Sequence, residues 1–361
     1  MDDFAPPRRL PNDNATPTVE RAVKSYPARR NYKPYIQKPP HVDAVRGMID
    51  VHCHADYGQQ DALSVGKLAS ESGMYGILYK SIGKPDKTGP MRQVNELLQD
   101  LDRWSQETGI RPIKAWGGYA LCRDNKPPSR EKDETQVKAG VSCFWLALAN
   151  HANTYNHVGG LYRRWDPNAD PKAHSDPLPW DLALKYGHYA LDQNGKLKPE
   201  YDEAIRIIAD NDVAFSFSHS THQEIDAIAE LVDKLKFKRA FFDHPFSPFV
   251  NITVKQMQDL SRIGVKFNFT YDELSPMLGV DPGKMYQAIR TVGVEHFMLS
   301  SDAGDTVFPN SVESMRQLSG YMQAFGLTRV EVETVTIVNP AFLVKVDAAE
   351  ALKMAHDGPV I

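Results

Sequence analysis

The stretch GMIDVHCHAD, residues 47–56, is an apolar, strand-like run that ends in two histidines separated by one residue. In an extended strand, side chains alternate between faces, so residues two apart point the same way. His52 and His54 are therefore predicted to share one face with Asp50 below them, whereas Cys53 points to the other. Two imidazoles side by side at a strand end can bind one metal ion, but they can equally be ordinary polar residues at a strand terminus.

Seven further strand-like runs follow this stretch, and amphipathic segments of helical period separate most of them. They span residues 74–82, 111–121, 141–148, 212–220, 238–246, 264–273 and 295–305. Alternating strands and helices indicate parallel βαβ units, and eight such units fit a (β/α)8 TIM-like barrel. The alternative is an open doubly wound sheet, but no glycine-rich phosphate loop follows the first strand.

The bulk composition excludes several classes of partner. A net charge of -4 does not resemble the basic footprint of a nucleic-acid-binding protein. No apolar run approaches the roughly 20 residues of a membrane helix, and the N-terminus lacks the apolar core of a secretory signal. The three cysteines show neither metal-type spacing nor a disulfide framework. We therefore expect a cytoplasmic protein that binds a small molecule, with neither a nucleic acid nor a membrane as partner.

The chain divides into an arm and a barrel. Residues 1–46 contain eight prolines and are predicted to form an extended arm, either disordered or laid across a neighbouring subunit. Residues 47–361 are predicted to form the barrel. Residues 149–198 form an unusually long connection after the fourth strand, which predicts a lid or a wall of the substrate pocket. The arm and the barrel together make a homo-oligomer plausible.

Polar residues recur where the predicted strands end. In a barrel, the carboxyl ends of all strands converge on one face, where the chemistry of such folds takes place. Side chains that are far apart in sequence are therefore predicted to meet there and form a metal centre. The candidate ligands are His52, His54, Lys80, His219, His244 and Asp302.

In order and position, these residues resemble the ligand set of the amidohydrolase superfamily of metal-dependent hydrolases. The match consists of His52 and His54, then His219, His244 and Asp302, and the closing segment LTRVEVETVTIVNPAFLVKV is similar to that superfamily's last helix. Within the superfamily, the chain is similar to a group of amidohydrolase-related proteins whose substrates are largely undefined. The resemblance covers residues 47–347 and implies a divalent metal, most often zinc, with manganese, iron or nickel as alternatives.

One feature departs from the superfamily pattern. Many members place a carboxylated lysine or a glutamate at the end of strand four, where it bridges two metals, but here that strand ends in WLALANH. Lys80, at the end of strand two, could substitute if it is neutral or carbamylated, because an ammonium beside dications is strongly disfavoured. It could instead be a cationic substrate anchor or a surface residue. The number of metals, one or two, stays open.

The predicted ligands imply a mechanism. A bound metal would lower the pKa of its water towards about 7. Asp302 would take the proton and pass it to the leaving group, while His244 or His219 polarises the substrate carbonyl. The expected reaction is hydrolysis of an amide-like C–N bond, or of a cyclic amide or ester, in a small molecule. The alternatives are a metal-dependent decarboxylase of an aromatic or enoic acid and a non-catalytic metal-binding barrel.

Aromatic and cationic side chains in the long connection suggest contacts with a small aromatic or anionic substrate. The predicted substrate-binding residues are His151, Tyr155, His157, Arg163 and Arg164 in that connection, and Tyr271 at the end of strand seven.

Overall fold

The computed structural model describes residues 42–55, 61–82, 89–122, 126–147, 150–158, 177–275, 278–304 and 308–357. It begins with a short 3-10 helix, Val42–Val45. Nearly all of the predicted arm, residues 1–46, therefore lies outside the described residues, and its separation from the barrel stays a prediction.

Eight strands form one parallel sheet, and each lies within one of the eight predicted runs. Consecutive strands pair in chain order from the first to the eighth. The sheet closes where the backbone N–H of His54 donates to the carbonyl oxygen of Ala303, 2.7 Å away, just after the eighth strand. The structure therefore confirms the predicted (β/α)8 barrel. The strands are β1 Ile49–Ala55, β2 Gly76–Ile82, β3 Lys114–Ala120, β4 Cys143–Trp145, β5 Ala214–Ser216, β6 Ala240–Asp243, β7 Lys266–Thr270 and β8 Phe297–Ser300.

Helices surround the sheet, and several of them bury an apolar stripe. In the second helix, Val94, Leu97 and Leu101 are buried at spacings of three and four residues, which places them on the face turned to the strands. Within the described residues, no helix is both long and apolar enough to cross a membrane. The helices are α1 Ala62–Glu71, α2 Met91–Thr108, α3 Arg130–Ala139, α4 Ala152–Val158, α5 Trp180–Tyr186, α6 Pro199–Asp210, α7 His222–Leu235, α8 Val254–Arg262, α9 Tyr271–Leu274, α10 Pro282–Val292, α11 Ser311–Phe325, α12 Arg329–Glu333, α13 Asn339–Leu343 and α14 Ala348–His356.

An inner cluster of apolar side chains fills the floor of the barrel. It joins Ile49, Trp145 and Met298 from the strands to side chains of α13 and α14. Gly118 is required there, because a Cβ at that position would collide with the indole ring of Trp145. The floor is thus packed with side chains, and the open end of the barrel is the mouth at the carboxyl ends of the strands.

The first strand departs from regular alternation at the histidines. Its register against β2 shifts between Asp50 and Cys53, as it does at a β-bulge. The expectation that Asp50 lies below the histidines is wrong for this reason. Its carboxylate instead accepts hydrogen bonds from the hydroxyl groups of Ser301 and Ser311, both at 2.5 Å. Asp50 therefore fastens β1 to the segment after β8 and to α11.

The long connection after β4, predicted over residues 149–198, contains α4 and α5 in its described part. Residues 159–176 lie outside the described residues. Asn153 of α4 donates hydrogen bonds to the carbonyl oxygens of Ser220, at 3.1 Å, and Phe249, at 2.7 Å, and all three residues are buried. The first turn of this connection is therefore anchored to the segments that follow β5 and β6 and forms part of the wall around the mouth.

Candidate metal centre

His52 and His54 converge on a single carboxylate oxygen. The Nε2 atoms of the two rings lie 3.0 Å and 3.2 Å from Oδ1 of Asp302. Ligand atoms about 2.1 Å from a common ion lie about 3.0–3.4 Å apart in octahedral and tetrahedral arrangements. The three side chains thus offer ligand atoms that all lie within 4.8 Å of one another, a spacing that fits one divalent ion.

Asp302 is held at this position by the backbone and by charge. Its N–H donates to the carbonyl oxygen of His52, 2.8 Å away, which joins the end of β8 to β1. Burial raises the pKa of the Asp302 carboxyl, but contacts with His52 and His54 outweigh burial and hold that pKa well below its usual range. Asp302 is therefore an ionised carboxylate, the form that a metal ligand requires.

His52 is in turn flanked by a second carboxylate, Asp243. Its Nδ1 lies 3.1 Å from Oδ1 of Asp243, and both side chains are fully buried. Burial lowers the pKa of His52, but Asp302 and Asp243 together raise it to about 9. Asp243 also accepts hydrogen bonds from the indole N–H of Trp145, at 2.7 Å, and the hydroxyl of Ser216, at 2.6 Å. A carboxylate held on the far nitrogen of a ligating histidine fixes the ring's orientation and raises its basicity as a metal ligand.

Sequence reasoning missed Asp243. The signal was present, because Asp243 immediately precedes His244 in the run FFDHPF and an acid at the end of an apolar strand needs a partner. Alternation alone gives the side of the strand on which a residue lies, but it does not reveal that the partner comes from β1, on the other side of the barrel.

His219 and His244 line the opposite part of the mouth as neutral imidazoles. Their ring centroids lie 4.7 Å apart in an edge-to-face arrangement, and the ring of His219 stacks on Phe249 at 4.9 Å. Burial lowers the pKa of His244 to about 4 and that of His219 well below its usual range. The hydroxyl group of Thr154 lies 2.9 Å from Nδ1 of His219 and orients the ring.

Three of the candidate ligands have a left-handed backbone conformation, with positive φ, that non-glycine residues rarely adopt. His219, His244 and Asp302 have φ values of 70°, 36° and 49°, among seven such non-glycine residues in the described part of the chain. Left-handed backbone at such residues is costly and is concentrated at functional sites. Each of the three follows a strand, so the turn directs the side chain into the mouth of the barrel.

The donor set fits a divalent metal. The centroid of the His52 ring lies 5.4 Å from that of His54 and 6.0 Å from that of His244. Because His244 also packs against His219, the four imidazoles form one continuous cluster. Both ring nitrogens of His52 face carboxylate oxygens, and Nδ1 of His244 is buried without a hydrogen-bond partner among the described residues. Buried ring nitrogens beside a carboxylate are the ligands that zinc and related metals prefer.

Lys80 lies at the same mouth. Its side chain is buried in β2, and its Nζ lies 5.8 Å from the centroid of the Trp145 ring. The charge of its ammonium group acts on the pKa values of His52, His219 and His244, so the group lies within electrostatic reach of the imidazole cluster. None of the described residues forms a hydrogen bond with Lys80.

The structure assigns structural contacts to the predicted substrate-binding residues of the long connection. Nε2 of His151 lies 3.0 Å from Oε1 of Glu224, and both residues are buried. Tyr155 is buried against Ala152 and Ala183. His157 is exposed, and its Nδ1 bonds to the carbonyl oxygen one helical turn earlier, at Asn153. These contacts hold the connection in place, and the predicted substrate contacts of the three residues stay a prediction.

Of the remaining predicted substrate contacts, one forms a hydrogen bond within the protein and two lie outside the described residues. The hydroxyl of Tyr271 donates to Oε1 of Gln317 on α11, at 2.9 Å. This bond ties α9 to the outer helix layer, and the predicted substrate contact of Tyr271 stays a prediction. Arg163 and Arg164 lie outside the described residues, so their predicted role stays a prediction.

The fold and the cluster define the class of protein: a (β/α)8 barrel with a candidate metal centre at its mouth. The chain is similar to an amidohydrolase from Pseudomonas aeruginosa, with 12% identity over 84% of this chain and 97% of that chain and a TM-score of 0.56. It is also similar to the probable dipeptidase PvdM from Pseudomonas aeruginosa, with 14% identity over 85% and 95% of the two chains and a TM-score of 0.50. At these identities, the likeness establishes the fold alone.

At the level of sequence, a model of the family of unknown function DUF6282 matches residues 47–268. The match covers more than half of the chain, and the chain belongs to this family. No curated protein matches the sequence.

Proposed function

We propose that the protein is a metal-dependent hydrolase that cleaves an amide-like C–N bond, or a cyclic amide or ester, in a small molecule. The observation that carries this proposal is the convergence of His52 and His54 on one oxygen of Asp302 at the barrel mouth. Amidohydrolase and dipeptidase barrels share the fold, which supports the choice of reaction class.

In this proposal, His52, His54 and Asp302 hold the metal, and His219 and His244 complete its ligands or hold a second ion. Zinc is the metal we expect, and manganese, iron or nickel would suit the same donors. When bound there, such an ion lowers the pKa of a water molecule towards about 7 and supplies a nucleophile at neutral pH.

Asp302 is the residue we assign to proton transfer. Its Oδ1 faces the two imidazoles, which leaves Oδ2 to accept a proton from the attacking water and to return it to the leaving group. His219 and His244 are neutral because burial lowers the pKa of each ring. Such a ring can orient the substrate carbonyl through a ring nitrogen without adding charge.

Lys80 has two roles that fit its buried position. As an ammonium it would attract an anionic group of the substrate into the mouth. As a carbamate it would bring a carboxylate to the metals and could bridge two of them, because an ammonium cannot serve as a ligand. A small substrate, contacts with Arg163 and Arg164, a cytoplasmic location and a homo-oligomeric state are further parts of the proposal.

The experiment is a metal count combined with a hydrolysis screen. The protein is purified without chelator or histidine tag, and metal per chain is measured by elemental analysis for the wild type, His52→Ala and Lys80→Ala. His222→Ala is the matched control, because His222 is an exposed histidine at the start of α7 that bonds to Gln256.

We expect at least one equivalent of metal in the wild type and in His222→Ala, and a large loss in His52→Ala. Two equivalents falling to one in Lys80→Ala would assign Lys80 as a bridging ligand, and an unchanged count would leave it as a substrate contact. Each protein is then tested, with product analysis, on a panel of amides, lactams and lactones and on aromatic and enoic acids. Release of carbon dioxide instead of hydrolysis products would replace this proposal with the decarboxylase alternative.

A further inference from the structure

Two adjacent acids, Asp272 and Glu273, follow β7 in the short helix α9. Their carboxyl groups differ in the hydrogen bonds that they accept. Oε1 of Glu273 accepts the backbone N–H of Phe246 at 2.7 Å, and Oε2 accepts that of Thr270 at 3.1 Å. Both oxygens of Glu273 are therefore used to hold the loops after β6 and β7 together. Asp272 accepts only the hydroxyl group of Thr270, at Oδ1. No described residue hydrogen-bonds to its Oδ2.

The strand register places Asp272 beside the metal centre. Thr270 of β7 pairs with Ser300 of β8. Asp272 and Asp302 each lie two residues beyond this pair, so the two carboxyl groups emerge at neighbouring points of the barrel mouth. Asp302, His52 and Lys80 all act electrostatically on the Asp272 carboxyl, which agrees with this placement.

Asp272 is nearly buried, with 7% of the residue exposed, and it has no cationic partner among the described residues. Burial and the neighbouring charge of Asp302 raise its pKa to about 8. A buried carboxyl group with one unused oxygen is costly unless a further donor satisfies it. Among the described residues, the main charges of opposite sign that act on it belong to His52 and Lys80, and neither forms an ion pair with it.

We propose that Asp272 forms a subsite for a cationic group, a protonated amine or an amidine, of the substrate whose scissile bond lies at the metal centre. This inference rests on the proposed function for the position of the ligand, and it narrows the substrate class to small amides that carry a positive charge. An amine there would donate to Oδ2, which is the unused oxygen, and would stabilise the ionised form of the carboxyl group, which burial disfavours. Charge-assisted hydrogen bonds of this kind are stronger than neutral ones.

The test measures binding, so it does not depend on turnover. Metal-loaded protein is titrated by calorimetry with pairs of product-like carboxylates that differ only in an amine: glycine and acetate, β-alanine and propionate, and 4-aminobutyrate and butyrate. One pair has the spacing that reaches Asp272 from the metal. For that pair we expect the wild type to bind the amino compound about tenfold more tightly or better.

Asp272→Asn should reduce this preference to about twofold or less, whereas the affinity for the carboxylate without an amine should change little. Asp259→Asn, which removes an exposed carboxylate on α8, is the control, because it leaves the contacts around Asp272 intact, and it should keep the full preference. The proposal is overturned if no pair shows an amine preference in the wild type, or if the preference survives in Asp272→Asn.

The two proposals fail separately. An amine preference that Asp272→Asn abolishes, found in a protein that hydrolyses nothing on the panel, would uphold the subsite and remove the hydrolase assignment. Hydrolysis of neutral amides by both the wild type and Asp272→Asn, without any amine preference in binding, would uphold the hydrolase and remove the subsite.

Discussion

The two sides of the candidate metal centre differ in charge. On the side of β1 and β8, His52 lies 3.0 Å from the carboxylate of Asp302 and 3.1 Å from that of Asp243, which reaches His52 from the end of β6. On the side of β5 and β6, His219 and His244 are neutral because burial lowers the pKa of each ring. One side is a preorganised ionic cluster and the other is a wall of neutral donors. Substitutions on the ionic side are therefore expected to have the larger effects.

The largest effect is expected at Asp302, which we assign to both metal binding and proton transfer. Asp302→Asn should lower kcat by about 100- to 10,000-fold, the range for removal of a general acid–base group. His52 and His54 remain in place, so the variant should retain most of its metal. Turnover and metal per chain are measured together, with Asp259→Asn as an exposed control on α8. Wild-type turnover in Asp302→Asn would refute its assigned role.

The second effect concerns the carboxylate behind His52. Asp243→Asn should weaken metal binding by about 10- to 100-fold, because His52 loses the partner that orients its ring and supports its basicity. Competition with a calibrated chelator measures the affinity. Ser216→Ala removes only one of the hydrogen bonds that Asp243 accepts, and a much smaller change is expected there. Equal affinities in the wild type and Asp243→Asn would show that Asp243 has no part in metal binding.

A buried carboxyl away from the mouth provides a contrast with these paired carboxylates. Both oxygens of Asp133, on α3, are buried without a hydrogen-bond partner among the described residues, and burial raises the pKa of this carboxyl to about 7. The unfolded chain loses this proton near pH 4, whereas the folded chain keeps it up to about pH 7. Stability is therefore expected to fall as pH rises between these values. The charges that act on the carboxyl are those of Lys132 and Glu203.

Asp133→Asn cannot ionise, so it should be more stable than the wild type at pH 8, by about 2 kcal/mol, and the difference should shrink towards pH 5. Thermal unfolding midpoints of both proteins at the two pH values measure this change. A difference that stays constant with pH would show that Asp133 does not titrate in this range.

The smallest effect is expected on the neutral side. Thr154→Val removes one neutral hydrogen bond to His219, worth about 1 kcal/mol, and should lower kcat/KM by about fivefold. Thr135→Val, at an exposed position on α3, is the control. A loss as large as that in Asp302→Asn would erase the proposed difference between the two sides.

The barrel could be predicted from the sequence because its strands are continuous apolar runs separated by helical patterns. All eight strands lie within the predicted runs, although β4 and β5 are only three residues long. The ends of the strands are harder to predict. The strand-like pattern of the sequence continues past the last residue that pairs in the sheet, as it does from the end of β5 to His219. The barrel topology then explains why residues as distant as His52 and Asp302 meet.

The contacts that support the site could not be predicted in the same way. The predicted position of Asp50 is wrong because a bulge in β1 breaks the alternation of side chains on which that prediction depends. Thr154 reaches His219 from a connection that has no period to analyse. The buried contact between His151 and Glu224 joins residues 73 positions apart, which no local pattern in the sequence indicates. The local sequence pattern predicts the secondary-structure element and the face on which a residue lies. Its contact partners are brought together only when the barrel closes.

The central claim is that the two histidines of β1 and the aspartate after β8 bind a metal. Anomalous diffraction at the absorption edge of zinc, from crystals grown with zinc, tests it most directly. The account predicts a peak between Nε2 of His52, Nε2 of His54 and Oδ1 of Asp302, at about 2.0–2.2 Å from each. A fully loaded crystal with its peak elsewhere, or with no peak among these three side chains, would contradict it.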